Sequence, residues 1–479
     1  MENLLVMKFG GTSMGSAERI KVAGEIISAQ RATRPVIAVV SAMSKVTDLL
    51  LNTMRHAESG DETVIEENIR KLTSRHLETC RQLLPPESQE AVEGGIQFLI
   101  AEFERLSRGM LMLGERPPRS VDEALSIGER LSALMLAAYL ESQGQMAVAV
   151  NAAEAIVTDA VFGEASPLMD ETRFMCRDNL LPLLESGSIP IVTGFNGATV
   201  DGRPTTLGRG GSDYSASILA AALDAAEVWI WTDVDGIMTA DPRLVPDAAV
   251  LDEVTYQEAA ELAYNGAKVL HPRTLAPLIE KQIPVWSKNS FAPSKPGTKI
   301  VPSLEPWPVP RAVTSLGDVA LISVEPAGAG VAPTAIMSRA LDALSRAGSE
   351  LLVFTSSSYR QNFSFLVRKT ELASALKHLE ENFALELEHG YLKPIEVDEN
   401  VGLMAVVGEG MRGTPGLAGR VFTAISRENV NIIAIAQGSS ELVIAVIVSR
   451  DGLEKAVKAV HAECKMGEQA RKRSARQNS

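Results

Sequence analysis

Apolar positions near the start of the chain fall into two kinds of run. Residues 4–9 (LLVMKF) are almost continuously apolar and are followed at once by Gly10-Gly11. Residues 16–30 then space their apolar side chains along one helical face, with Ser16 placed as an N-cap and Glu18 in the first turn. A second unbroken run, 35–40, ends at Ser41. Runs of this kind suit strands of a parallel sheet covered by helices on both faces; half-exposed strands would alternate. From 45 to 143 the pattern is mostly helical, rich in Glu, Arg and Leu, and interrupted at Pro85-Pro86 and Pro117-Pro118. Strand signals return at 147–150, 189–193, 227–232 and 283–288, with helical stretches between. Strand alternating with helix predicts a doubly wound, mainly parallel α/β domain with a helical insertion.

The pattern changes across 292–311, where prolines cluster and neither helix nor central strand can continue. Beyond it lies an internal repeat. Val319-Ala-Leu-Ile-Ser-Val, a Gly-rich turn and Pro333 are echoed by Val401-Gly-Leu-Met-Ala-Val and Pro415, the prolines lying 415 − 333 = 82 residues apart. Each copy reads as a small β-α-β-β-α-β module. The expected plan is a domain over 1–298 with an insertion at about 45–143, a linker over 299–311, modules over 312–395 and 396–464, and a basic disordered tail over 465–479.

Composition adds exclusions. The 479 residues are 46% hydrophobic and 22% charged, with a net charge of 46 − 60 = −14. An acidic chain lacks the basic footprint that broad nucleic-acid or anionic-membrane binding requires. Cys80, Cys176 and Cys464 lie far apart, so neither a disulfide framework nor a Cys-rich zinc site is expected. No apolar stretch reaches the roughly 18 residues that span a bilayer, and the start lacks a signal-peptide pattern; a cytoplasmic protein is expected.

Met7-Lys8-Phe9-Gly10-Gly11-Thr12-Ser13 places a cation beside paired glycines that open a helix, where backbone N–H groups can meet a phosphate. A tight strand–helix turn with an incidental lysine would look the same. No Gly-Lys dipeptide occurs, which excludes a Walker A loop, and the first turn lacks GxGxxG spacing. Gly11-Thr12-Ser13-Met14-Gly15 matches a nucleophile elbow, but only one strand precedes it to build an oxyanion hole. Thr205-Thr206-Leu207-Gly208-Arg209-Gly210-Gly211-Ser212-Asp213-Tyr214 sets Arg, Ser and Asp among three glycines at a helix start, favouring an anion site over a plain cap. Trp231-Thr232-Asp233-Val234-Asp235-Gly236 follows a strand, at the carboxyl edge where open α/β sheets bind ligands. Gly266-Ala267-Lys268-Val269-Leu270-His271-Pro272 adds a lysine at a helix–strand junction.

Lys8-Phe-Gly-Gly-Thr-Ser, Val40-Ser41-Ala42-Met43, Ser126-Ile-Gly-Glu129-Arg130, Thr193-Gly-Phe195, Thr206-Leu-Gly-Arg-Gly-Gly-Ser-Asp213-Tyr, Trp231-Thr-Asp-Val-Asp-Gly and Gly266-Ala-Lys-Val-Leu-His-Pro272 occur in this order. Together they resemble aspartate kinase, of the amino-acid kinase fold, over essentially the whole chain, and the repeated pair resembles that family's two ferredoxin-like ACT modules. The resemblance implies transfer of the γ-phosphoryl of ATP, with Mg²⁺, to the β-carboxylate of L-aspartate. That carboxylate, with a pKa near ~4, is already ionised and needs no strong base. What must be overcome is its repulsion by the triphosphate, several kcal/mol at ~4 Å and an effective dielectric of about 20.

By the same resemblance Lys8, Arg209 and Asp213 are catalytic, and Lys8, Gly10, Gly11, Gly210 and Gly211 bind phosphate. Glu129 pairs with the α-ammonium and Arg209 with the α-carboxylate, with Ser41, Thr47, Phe195, Ser212 and Asp213 also lining the substrate site. Thr232, Asp233, Met238, Arg243, Lys268 and Val269 fall on the nucleotide side, Met238 replacing the Tyr of many relatives. No protein-held metal site is expected. The ACT pair implies a homodimer or higher oligomer and feedback by threonine or lysine, threonine being favoured by Gly410-Met-Arg-Gly-Thr-Pro415. Gln437, Ser439, Ser440 and Glu441 are the candidate effector residues; the first module has a different string, Phe354-Thr-Ser-Ser-Ser-Tyr-Arg-Gln361, at the corresponding place. The alternatives are a turnover-deficient amino-acid sensor, which loss of Lys8, Glu129, Arg209 or Asp213 would mark, and another kinase of the same fold acting on acetylglutamate or uridylate. All four residues are present.

Overall fold

The computed structural model describes residues 3–267, 270–305, 309–327, 332–357 and 362–477. They form two compact units: Met1–Gly236 with Asp252–Tyr256 and Leu270–Ser303, and Ile237–Leu251 with Gln257–Val269 and Leu304–Ser479.

In the first unit, β1 (Leu5–Phe9) leads through a tight turn into α1 (Ala17–Arg31), whose Ser16 cap accepts the Arg19 N–H, and on to β2 (Val36–Val40). Every residue of β2 is buried because both its neighbours are parallel strands with helices packed over them. The insertion is four helices, α2 (Val46–Glu58), α3 (Glu62–Leu83), α4 (Pro86–Leu113) and α5 (Pro118–Ser142). The two Pro-Pro pairs start α4 and α5, since proline at the first helical position loses no internal hydrogen bond. There follow β3 (Ala147–Val150), β4 (Val157–Thr158), α6 (Met169–Asn179), α7 (Leu181–Glu185), β5 (Ile189–Thr193), β6 (Asn196–Thr199), β7 (Pro204–Thr206), α8 (Gly211–Ala222), β8 (Glu227–Thr232) and β9 (Glu253–Thr255). Beyond α9 (Tyr256–Tyr264), α10 (Pro272–Lys281), β10 (Val285–Asn289) and β11 (Thr298–Val301) complete the unit.

The main sheet runs β3-β5-β2-β1-β8-β10-β11-β9 and is parallel except where β10 meets β11. From β1 the chain goes to β2 on one side and later to β8 on the other. The carboxyl ends of these strands therefore bound a topological switch point, the usual ligand crevice of an open α/β sheet. The last strand of this unit expected from the pattern, 283–288, forms as β10 two residues later. Strands β4, β6, β7, β9 and β11 gave no signal because each has only two to four residues, with Gly197 or Pro204 inside two of them.

The second unit contains β12 (Ala312–Val324), α11 (Pro333–Arg346), β13 (Val353–Ser356), β14 (Phe363–Arg368), α12 (Lys369–Asn382) and α13 (Ala384–Glu388). The repeat then supplies β15 (Glu396–Val407), α14 (Leu417–Arg427), β16 (Ile432–Ala436), β17 (Val443–Ser449) and α15 (Leu453–Glu463). One antiparallel sheet, β13-β14-β12-β15-β17-β16, joins both copies. The closing strand expected for each module is replaced by the other module's first strand, because β12 and β15 pair along nearly their whole length. The tail expected to be disordered instead forms α16 (Met466–Gln477): Met466 is buried against Val457, Val460 and neighbours, and Arg471 reaches Asp247 at 2.6 Å. The segment 237–251 belongs to this core. Ala240 and Val245 pack in it, Val313 N–H donates to the Thr239 carbonyl, and the Thr239 hydroxyl meets His461 Nε2 at 2.9 Å. Among the described residues no helix is long and apolar enough to cross a membrane.

Candidate functional site

Lys8 is the penultimate residue of β1, aimed into the crevice that the sheet topology creates. Its ammonium lies 2.6 Å from Asp213 Oδ1 on the first turn of α8. The backbone approach that allows this is close: a Cβ on Gly10 would sit 3.4 Å from Lys8 Nζ, and one on Gly11 3.0 Å from the Ala42 carbonyl. The turn at 10–15 is closed by Met14 N–H on the Gly10 carbonyl, and Ser44 N–H bonds the Gly11 carbonyl.

Helix α8 is preceded at its N-cap position by Gly210, which has φ 68° and offers no side-chain cap. Its first N–H groups and its dipole face the same crevice, an arrangement that favours an anion. Gly211 is the only residue type that fits behind Phe195, since a Cβ there would fall 2.6 Å from the ring. Phe195 itself holds φ 71°, pinned by its N–H to Ser215 Oγ and by Leu207 N–H on its carbonyl. Arg209 is exposed on the loop before α8.

Glu129 comes from the middle of α5 and is 3% exposed. Gly128 lets that helix press on loop 41–45, so that Ala42 N–H reaches Glu129 Oε1 at 3.1 Å. Oε2 is buried and has no hydrogen-bond partner among the described residues. Burial pushes the carboxyl up to about 8, against the Ala42 N–H and the nearby Lys8 charge, which favour the anion.

A single cleft of about 520 Å³ is lined by Lys8, Gly11, Ser41, Thr47, Glu129, Phe195, Arg209, Gly210, Gly211, Ser212 and Asp213. Gly10 lies just behind Lys8, and Thr232 and Asp233 sit at the end of β8, the strand beside β1. Met238 and Arg243 fall in the second unit, where Arg243 is exposed and grips Asp241 through two nitrogens. Lys268 and Val269 lie outside the described residues. Gln437, Ser439, Ser440 and Glu441 are exposed between β16 and β17. Gly413 N–H donates to the Glu441 carboxylate at 2.6 Å and Arg412 Nε to the Ser440 carbonyl at 3.1 Å, which brings the 410–415 and 437–441 strings together.

Sequence reasoning missed Lys45 and Asp48 in the cleft wall. Both flank Thr47 in the same string, which was the available signal. Lys45 holds φ 66° at the start of α2, a costly conformation for a side-chain-bearing residue. It also missed two supports. Arg75 on α3 donates to the carbonyls of Ser44 and Gly15, tying two cleft loops together. Asp122 on α5 is buried, and desolvation pushes its carboxyl up against hydrogen bonds from Gly163 and Thr206.

Residues 3–289 match the model of the amino acid kinase family, and residues 404–464 match that of an ACT domain. The chain belongs to the amino acid kinase family, within its aspartokinase branch. It is 31% identical to lysine-sensitive aspartokinase 3 of Escherichia coli, over 96% of this chain and 99% of that protein. It is 34% identical to the chloroplastic bifunctional aspartokinase/homoserine dehydrogenase 2 of Arabidopsis thaliana, over 95% of this chain but 50% of that protein. The chain thus spans about half the length of the bifunctional relatives it matches. The E. coli aspartokinase III structure in complex with aspartate and ADP superposes with a TM-score of 0.82 at 29% identity, covering 96% of this chain and 99% of that one.

Proposed function

We propose that the chain transfers the γ-phosphoryl group of ATP to the β-carboxylate of L-aspartate, giving 4-phospho-L-aspartate. The observation that carries this reading is one cleft holding a buried carboxyl with an unpartnered oxygen, an exposed guanidinium and a lysine–aspartate pair at a helix N-terminus. Glu129 takes the α-ammonium and Arg209 the α-carboxylate, which leaves the β-carboxylate directed towards Lys8. Ser41, Thr47 and Ser212 supply polar contacts, and Phe195 forms a wall.

The attacking carboxylate carries its own charge, so the chain has no proton to remove. Its task is to offset the repulsion between two anions and to hold them in line. Lys8, oriented by Asp213, and the N–H groups of Gly11, Gly211 and Ser212 are placed to do so. Thr232 and Asp233, at the end of β8, are assigned to the nucleotide side. Among the described residues there is no group of three or more His, Cys, Asp or Glu that could hold a metal. Mg²⁺ delivered on the triphosphate would need only one or two protein carboxylates, and Asp213 stands beside the phosphate cradle. Mg²⁺ there would neutralise phosphate oxygens.

The lysine sensitivity named for the E. coli relative, and the junction of Gly413 with Glu441, support feedback by threonine or lysine at 437–441 in an ACT-linked homo-oligomer. The purified chain with aspartate, MgATP and hydroxylamine should yield aspartyl hydroxamate, with glutamate reacting poorly and millimolar threonine or lysine slowing the rate at subsaturating aspartate. Absence of hydroxamate from a folded protein refutes the kinase reading; hydroxamate formation that neither amino acid slows refutes the feedback.

A further inference from the structure

Asp122 lies on α5 exactly seven residues, or two turns, before Glu129, so the two side chains leave the same face of one helix. It is 1% exposed, and among the described residues its hydrogen bonds come from backbone N–H groups and a hydroxyl, with no cation partner. Oδ2 accepts the N–H of Gly163 at 2.8 Å and of Thr206 at 2.9 Å, while Oδ1 accepts the Thr206 hydroxyl at 2.8 Å. Thr206 ends β7, and the next residues are Leu207, Gly208 and Arg209. The loop at 159–166 is held by the same clamp: Ala165 N–H donates to the Thr206 carbonyl, and a Cβ on Gly208 would fall 3.3 Å from the Gly163 carbonyl.

A loop with glycines at φ 74° and 68° has little stiffness of its own. Its position relative to α5 must come from an anchor, and Asp122 is the buried polar group that joins the two. We propose that Asp122 is a positioning residue: it fixes the span between Glu129 and Arg209, and with it the length of amino acid that can present a carboxylate to the phosphoryl group. This rests on the aspartate kinase reading, in which those two residues grip the two ends of the amino-acid head.

Asp122→Ala removes the anchor. Asp122→Asn keeps one oxygen for the two N–H groups and an amide for the Thr206 hydroxyl. Both variants, in the full chain, are assayed by hydroxamate formation for the KM of aspartate and of MgATP and for the preference of aspartate over glutamate. In Asp122→Ala the aspartate KM should rise about 10-fold or more with MgATP KM within about twofold, and the aspartate preference should fall at least about fivefold; Asn should bring aspartate KM back to within about threefold of the parent. A merely structural carboxylate would lower the active fraction and leave KM alone. An aspartate KM unchanged in Asp122→Ala, a joint rise of both KM values, or no rescue by Asn overturns the proposal. If Asp122→Ala does not fold, Thr206→Val, which deletes only the Oδ1 contact, decides: an aspartate KM raised about threefold supports the anchor and an unchanged one overturns it. A parent chain inactive on aspartate brings down the kinase reading and this proposal with it, whereas an active parent with unaltered variants brings down the anchor alone.

Discussion

A carboxyl buried as completely as Glu129 carries a proton at neutral pH until something compensates its charge. The ammonium of a bound amino acid would do so, so binding should expel a proton. Below about 8, where the free protein holds that proton, aspartate affinity should therefore climb with pH and level off above it. Titration calorimetry in two buffers of different ionisation heat measures the proton released; none released at pH 7 would remove Glu129 from the ammonium site. Glu129→Gln should abolish this pH dependence and weaken aspartate by about 1.5–3 kcal/mol, roughly 10- to 100-fold, while MgATP binding stays near its parent value. Stability should respond with the opposite sign. The folded pKa lies above the unfolded one, so this group's contribution is full below about 4.5 and is lost as pH rises through about 8. Thermal melts at pH 6 and pH 9 should show the Gln variant gaining on the parent at the higher pH.

Among the elements, α5 joins several structural demands: it starts at a proline, clamps a loop through Asp122, presents Glu129, and needs Gly128 to press against loop 41–45. Replacing Gly128 by Ala sets two effects against each other. Helix propensity gains about 1 kcal/mol, but the new methyl would sit 2.8 Å from Ala42 Cβ and 3.4 Å from Val46 Cγ1. Overpacking costs about 1–3 kcal/mol and should win. Urea unfolding should show a net loss of stability, and aspartate should bind more weakly because the Ala42 N–H moves off Glu129. A more stable variant with parental affinity would mean that the contact is soft. The ends of such elements were the legible part of the chain. The Pro-Pro pairs, the Ser16 cap and the apolar runs of β1 and β2 each have a local cause, and the glycine strings that line the cleft follow strands directly. Asp122 and Arg75 were not legible, because their partners lie 84 and 31 residues away and only the folded chain brings them together. The closing strands and the disordered tail were misread for a related reason: pairing of β12 with β15, and burial of Met466, are tertiary events that local pattern does not encode.

In the whole molecule, the divide between compact units does not follow the order of the chain. Ile237–Leu251 and Gln257–Val269 precede the proline-rich stretch yet belong to the unit that holds the ACT-type sheet. Thr239 is bonded to both Val313 and His461, Asn265 accepts the Thr314 hydroxyl through its carbonyl, and Glu258 takes the Glu409 N–H. A fragment ending at 303 would keep these two segments and lose every one of those partners, exposing Ala240 and Val245. Expressed alone it should be aggregated or poorly soluble by size-exclusion chromatography, whereas the full chain elutes as a discrete species; a well-behaved fragment 1–303 would show that the segments refold on their own. The same interleaving bears on exchange between relatives. A C-terminal half transplanted at the proline-rich stretch would meet foreign versions of 237–251 and 257–269, so a working chimera must carry those two internal stretches along with everything after 303. Whatever such a chimera takes from the second unit is thus tied to residues before the proline-rich stretch, and a crossover at the visible boundary divides one folding unit between two parents.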